Sequence, residues 1–422
     1  HTVTRRQRQM CIRDRAIVNW YFKLFKMSHI VIIGCGIVGA TIAYQLSKIE
    51  GLKITVLDKQ MPAQASTGAA LGVLIGIISQ KTKGRPWKMR HMSIQSYHSL
   101  IPELEAKINR PISHNRQGIL QLCLPGDDLD KWQRLIDIRE ADGLSLEMWD
   151  VERLGDRCPQ LQTSETTGAI YSPQDLQVNP VELTLALVEA AQQNGVKFHF
   201  GVTVAEYKTI SLPKNEYRCR QVYIKSLDER KKAPALPDVD WLVVAAGLGS
   251  LSCLQGIKGG KLPFLQLKRK SNLDNKFTIV PVLGQALHLQ VSTLLGNPDF
   301  QPVITGDDVH IIPMAENEYW VGATVEFPND IGEVVADSIL LDQVMARAIS
   351  FCPGLADATI LRKWSGLRPR PEGQAAPAVG YLESWQNILL ATGHYRNGVL
   401  LAPATAQAVE KMILTSSPDI GR

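Results

Sequence analysis

Two rhythms of apolar and polar residues run along the chain. Short, continuous, branched apolar runs stand at 29–33 (HIVII), 241–246 (WLVVAA) and 388–391 (ILLA), the pattern of buried parallel strands. Helical spacing occurs at 37–46, ended by Gly51, and at 87–108, with Met89, Met92, Ile94, Tyr97, Leu100 and Ile101 facing inward. A third helix spans 180–194, with Pro180 at its start and Gly195 as its stop. Further helices are predicted over 127–142, 334–350 and 397–414, and strands over 117–124, 196–200, 202–207 and 217–226. Residues 228–238, with Lys231, Lys232, Pro234 and Pro237, read as a loop. Residues 264–324 read as strands and turns that suit a second, antiparallel sheet, followed by an extended stretch at 360–370.

The first strand and helix are joined by Gly34, Gly36 and Gly39 in G-x-G-x-x-G spacing, and Asp58 closes the strand that follows. Each glycine has its own reason. Gly34 permits the tight turn, Gly36 lets backbone approach a pyrophosphate, and Gly39 lets helix and strand pack closely. The helix start then aims free N–H groups at phosphates, and Asp58 stands where an acid would bind a ribose hydroxyl. Dinucleotide binding is the reading; a tight strand–helix turn without a ligand is its alternative. Ser66 and Thr67 precede a Gly/Ala-rich run and are candidate N-caps of a helix there. Gly247 and Gly249 bring a second turn to a strand end, and the signals at 30–58, 241–249 and 388–403 predict a discontinuous nucleotide-binding domain.

Composition narrows the classes. A chain of 422 residues is long for one core, so two domains are expected, and 45% apolar with 21% charged residues fits an ordinary globular protein. The net charge of +5 is concentrated in residues 1–26, which carry +6, leaving a body near neutrality with no nucleic-acid surface. Seven scattered cysteines without metal-ligand spacing suggest a reducing, cytoplasmic setting, and no stable membrane insertion is expected. His91 and His98 read as surface or core-edge residues. Within 1–26, RQRQMCIRDR resembles translated adapter sequence. This segment is expected to be a non-native or disordered extension with Met27 as the natural start, and its deletion to leave folding and activity intact. A basic, aromatic membrane-surface segment at 16–25 is the alternative.

Near the C-terminus, WSGLRPRPEG (364–373) carries Arg368 and Arg370 on a Pro/Gly-rich strand exit, and ILLATGHYRNGVLLAP (388–403) reads as strand, Gly turn and helix. A guanidinium held there would suit a substrate carboxylate, or an internal ion pair. Together with IVIIGCGIVGATIAYQL, ASTGAALG, VNPVELTLAL, DWLVVAAGLGS and VPVLGQAL, these motifs resemble the D-amino-acid oxidase superfamily of flavoproteins, most nearly its glycine oxidase branch, over about 29–415. The resemblance implies an α/β plus α+β fold: a Rossmann-like FAD-binding domain of the glutathione-reductase/DAO type and a mainly antiparallel substrate domain. The expected division is 27–82, 176–258 and 359–415 for FAD, and 83–175 and 259–358 for substrate.

The same resemblance implies FAD contacts from Gly34, Gly36, Ile37, Val38, Gly39, Asp58 and Lys59 at the adenosine end. Ser66, Thr67, Ala70, Gly72, Val204, Ala246 and Gly247 would follow, with Gly393, Arg396, Asn397, Gly398, Val399 and Leu400 at the flavin. Arg368 matches the family's carboxylate-binding arginine, and Arg396 a second pocket arginine. Tyr395 is carried as a catalytic candidate beside them, although it and His394 read first as turn and packing residues. His310 stands where a tyrosine is usual and Met314 where an arginine is usual, which bears on substrate identity; a structural histidine is the alternative for His310. No histidine lies in 66–72, so FAD is expected to be non-covalent, and Cys352 reads as helix-end packing. The implied activity is oxidative deamination of a small amino acid or amine. Hydride would pass from substrate Cα to the flavin, and O2 would reoxidise it to give H2O2. The alternatives are a dehydrogenase using another acceptor and a flavin-binding partner protein without turnover. Homo-oligomer formation and a role in thiamine biosynthesis stay open, and no second, synthase domain after Arg422 is expected.

Overall fold

The computed structural model describes residues 27–255, 257 and 277–415; the expected extension 1–26 and residues 264–276 of the strand-rich run lie outside them. The buried runs assemble as one sheet of six strands, in the order 378–381, 388–392, 241–244, 28–33, 52–58, 197–200. Five are parallel, and only Ala378–Tyr381 at the edge runs antiparallel. Alternation divides the first strand between two layers. Ile30 and Ile32 pack with helices Ile37–Ser47, Pro180–Gln193 and Gly398–Thr415, while Val31 and Ile33 pack toward the hairpin Val202–Leu212 and Glu216–Ser226. The expected helix ends hold: Asn179 caps Pro180–Gln193 by accepting from Val181 and Glu182, and Gly195 follows with φ +91°.

An eight-stranded sheet forms the second layer system, ordered 359–372, 278–290, 318–322, 309–313, 303–306, 119–123, 168–172, 147–149. Its pairs are antiparallel except Val303–Gly306 with Ile119–Cys123. One face is covered by helix Ser338–Phe351, against which Val309, Ile311 and Val321 pack. Cys352 is buried at the end of that helix. The opposite face, with Ile119, Ala286, Ile312 and Trp364, turns toward Leu71 and Val73 of the nucleotide-binding half.

Several expectations change. No helix follows Thr67. Gly68 and Gly72 make backbone approaches that a Cβ would block, at 2.3 Å from Ala63 O and 1.8 Å from Val178 O, so 65–72 stays a turn leading into strand Val73–Leu74. Met92, expected inward, is 41% exposed on helix Gly84–Ile108. That helix packs with Ile37–Ser47 and Gly398–Thr415 in one core, whereas Thr359–Glu372 pairs along its length with Thr278–Gln290. We propose a division by sheet membership, which moves 84–108 to the nucleotide-binding half and 359–372 to the other. Between the halves, the loop after Leu74 is clamped from both sides. The buried Asp175 accepts from the amides of Gly76, Ile77 and Ile78, and the buried Arg139 donates to the carbonyls of Ile77, Ser79 and Lys81.

Candidate active site

The parallel strands end together at one edge, where open α/β sheets bind their ligands. There Gly34 N–H donates to Leu57 O at 2.8 Å and Ala245 N–H to Ile33 O at 2.8 Å, so three strands share one rim. Gly34 has φ +106°, and a Cβ on it would lie 2.4 Å from Ala245 O; a Cβ on Gly39 would lie 1.9 Å from Gly34 O. Gly36 is tight only against the Thr67 hydroxyl, at 3.0 Å. Thr67 caps a helix after all, but a distant one: its Oγ1 accepts from Ile37 N–H at 3.0 Å. Asp58 accepts from Cys35 N–H at 2.6 Å and Gln60 N–H at 2.9 Å, holding the turn while its carboxylate stays partly exposed.

Other expected contacts divide by position. Gly247, with φ +55°, meets the rim through its carbonyl, which accepts from Thr392 Oγ1 at 3.1 Å. Ala246 precedes it, while Lys59 is exposed beyond Asp58 and Val204 sits on the hairpin beside Leu57. Ser66 Oγ donates to Leu367 O at 2.6 Å, tying this loop to the strand that bears Arg368. Ala70 closes the same turn on Thr67 O, and Gly72 is accounted for by its approach to Val178. Asn397 N–H is taken by His394 O at 3.0 Å and its Oδ1 by Arg90 at 3.2 Å. The first-turn amides of helix Gly398–Thr415, through Val399 and Leu400, are thus the donors left at that end. Glycines intolerant of a Cβ, two helix starts and an acid at one rim fit a dinucleotide with a pyrophosphate.

The second cluster lies where the eight-stranded sheet meets the Gly393 turn. Arg368 Nη1 donates to Leu283 O at 2.9 Å and Thr324 O at 3.0 Å. No carboxylate among the described residues comes within ion-pair distance of it. Burial first, then the Arg396 charge, holds its proton affinity below the ordinary arginine value. Tyr395, with φ +53°, and Glu326 oppose that shift. His310 shares the cluster. Its Nδ1 lies 2.9 Å from Thr305 Oγ1, and burial, Arg396 and then Arg368 push its pKa down to about 4 against the opposing Asp308. A cavity of about 350 Å³ is lined by His310, Arg396, Thr305, Gln121, Asp308 and Ile75 among others. Met314 stands apart, in an apolar patch with Trp320 and Trp364.

Sequence reasoning missed Thr305, Gln121, Asp308 and the buried Glu326, which accepts from Gln285 Nε2 at 2.9 Å and Asp337 N–H at 2.8 Å. The one local signal was the Gly-Asp-Asp turn before His310.

A dinucleotide-type rim beside a second sheet, with a half-buried guanidinium that has no acid partner among the described residues, is the architecture of a dinucleotide-dependent oxidoreductase. The chain belongs to the FAD-dependent oxidoreductase (DAO) family, whose model matches residues 29–412, and its cofactor is FAD. It is 28% identical over 399 residues to the bifunctional protein ThiO/ThiG of Trichormus variabilis, covering 92% of this chain and 53% of that protein. The chain thus spans about half the length of that relative. It is 26% identical to the glycine oxidase of Bacillus licheniformis, covering 91% and 92% of the two chains. The fold is similar to the glycine oxidase structure from Geobacillus kaustophilus, with a TM-score of 0.74 at 20% identity over 93% and 97% of the chains. No helix among the described residues is long and apolar enough to cross a membrane.

Proposed function

We propose that the protein oxidises the carbon beside the nitrogen of a small amino acid or secondary amine, with Arg368 as receptor for the substrate carboxylate. The observation that carries this is the half-buried guanidinium, held by two carbonyls through Nη1 and lacking an acid partner among the described residues. A charge partly withdrawn from water without an acid partner is unfavourable, and a substrate carboxylate would supply one by charge-assisted hydrogen bonds. His310 stays neutral at physiological pH, so it lines the pocket without competing for that carboxylate, and Thr305 fixes its ring. The cradle residues that would hold FAD are Gly34, Gly36, Asp58 and Gly247, with the first turn of Gly398–Thr415 at the flavin. When bound, FAD supplies the two-electron acceptor. The substrate loses two electrons and two protons to become an imine, water converts that to a carbonyl compound and ammonia or an amine, and O2 is the proposed final acceptor, giving H2O2. Relatives named glycine oxidase and their coverage of this chain support glycine as the first compound to try.

The test is anaerobic mixing of the FAD-loaded protein with glycine, sarcosine, D-alanine, D-proline and longer D-amino acids. At least one should bleach the flavin, and admitted O2 should restore the colour. Arg368→Ala should weaken that substrate at least tenfold while keeping FAD, since a charged hydrogen bond contributes roughly 1.5–3 kcal/mol. Colour that returns only with a quinone or carrier would favour the dehydrogenase reading. Unaltered turnover in Arg368→Ala would remove the carboxylate role.

A further inference from the structure

The cavity beside His310 has an uneven charge distribution. Arg368 lies outside its lining but close enough to feel Arg396 and to act on His310, and its guanidinium has no acid partner among the described residues. On the cavity's outer side, Arg396 is the one cation in the lining, and its Nη2 is already 3.3 Å from Asp308 Oδ1. Asp308 is not there by chance of a long side chain. It occupies the tip of the hairpin between Val303–Gly306 and Val309–Pro313, where Asp307 and Asp308 both take left-handed backbone, φ +45° and +59°. The neighbouring Asp307 is anchored by Arg347, Nη1 to Oδ2 3.4 Å and Nη1 to the Asp307 carbonyl 3.2 Å. The same hairpin carries His310, two residues after Asp308, so the tip and the pocket histidine share one short stretch of backbone. Asp127 also lines this outer side, its Oδ2 accepting from Leu124 N–H at 2.7 Å.

We propose that Asp308 is a specificity-determining residue that selects amines with one carboxylate over amines with two. By holding Arg396, it removes the second guanidinium as an anion receptor. Together with Asp127 and Asp307 it also leaves the outer wall richer in acid than in base. A first carboxylate finds Arg368; a second one, reaching outward, meets paired or like charge and loses binding. This deepens the amine-oxidising reading and rests on it for the substrate class, while the charge discrimination itself can be read without turnover.

The experiment compares the FAD-loaded protein with Asp308→Asn, which keeps the shape and removes the charge. Dissociation constants for acetate and malonate are measured by perturbation of the flavin absorbance, and kcat/KM is measured for sarcosine and iminodiacetate, two secondary amines that differ by one carboxylate. The native protein should favour acetate and sarcosine. In Asp308→Asn both ratios should move toward the dicarboxylate, with tenfold expected and threefold the least that supports the proposal. Adding Arg396→Leu to Asp308→Asn should cancel the gain, because the released guanidinium is what receives the second carboxylate. Ratios that move less than threefold, a gain that survives Arg396→Leu, or a native protein that already prefers dicarboxylates would overturn it. If neither amine is turned over yet acetate and malonate shift as described, the amine-oxidising reading fails and the role of Asp308 stands.

Discussion

A buried imidazole carries a pH dependence into the molecule. His394 is 3% exposed, with Nε2 2.9 Å from Thr405 Oγ1, and burial followed by the Arg85 charge pushes its pKa down to about 3. The folded chain therefore keeps the ring neutral, while the unfolded chain takes up a proton below about pH 6.5. With more protons bound in the unfolded state, stability is full above that pH and falls as acid is added, until the folded ring also titrates. Between pH 6.5 and 5 the loss from this one ring is about 2 kcal/mol. His310 acts in the same direction over a narrower window, ending near 4. His394→Gln, which can still donate to Thr405, should flatten the fall in melting temperature between pH 7 and 5. An equally steep fall in the variant would absolve His394.

Strands place Arg368, and their pairing explains why its neighbours are small. Gly284 and Gly366 are cross-strand partners, and a Cβ on Gly284 would lie 2.0 Å from the Arg368 guanidinium. The obstructed atom is the far end of a flexible side chain, so Gly284→Ala should displace the guanidinium from Leu283 O and Thr324 O more than it unfolds the sheet. The expected result is carboxylate binding at least threefold weaker with the flavin spectrum intact; unchanged affinity would show that the guanidinium has room elsewhere. Elements of this kind divide by how local their cause is. The strand–glycine–helix unit at 28–47 and the helix at Pro180–Gln193 were legible, because their caps and apolar periods lie within the elements themselves. The Gly/Ala run after Thr67 was misread as a helix because its glycines answer to Ala63 and Val178, contacts that local periodicity does not encode. For the same reason Asp308 and Glu326 were missed: each gains meaning only when a hairpin tip or a crossing strand meets another part of the chain. Arg368, Arg396 and His310 are site candidates through motif resemblance, and in the fold both arginines lie near enough to act on His310.

At the scale of the molecule, the rim that fits FAD is made by segments from the start, middle and end of the chain, 28–58, 241–249 and 388–403. Side-chain bonds that hold its turns include Cys35 and Gln60 to Asp58, Ile37 to Thr67, and Thr392 to Gly247. Only the folded chain brings these pieces together, so FAD binds the native state and not the unfolded one. Mass action then adds about 2.7 kcal/mol of stability when free FAD stands at 100 times its dissociation constant. The glycine turns that accept no Cβ let a ligand approach the rim backbone closely, which is where a bound pyrophosphate would add its contacts. Stripping FAD should therefore lower the melting temperature by several degrees, and added FAD should restore it in a concentration-dependent way. Acid precipitation of the yellow protein should leave the colour in the supernatant, as a cofactor held by this backbone cradle requires. A coloured pellet would mean a covalent link, and a melting temperature indifferent to FAD would mean that the three segments hold the rim without it.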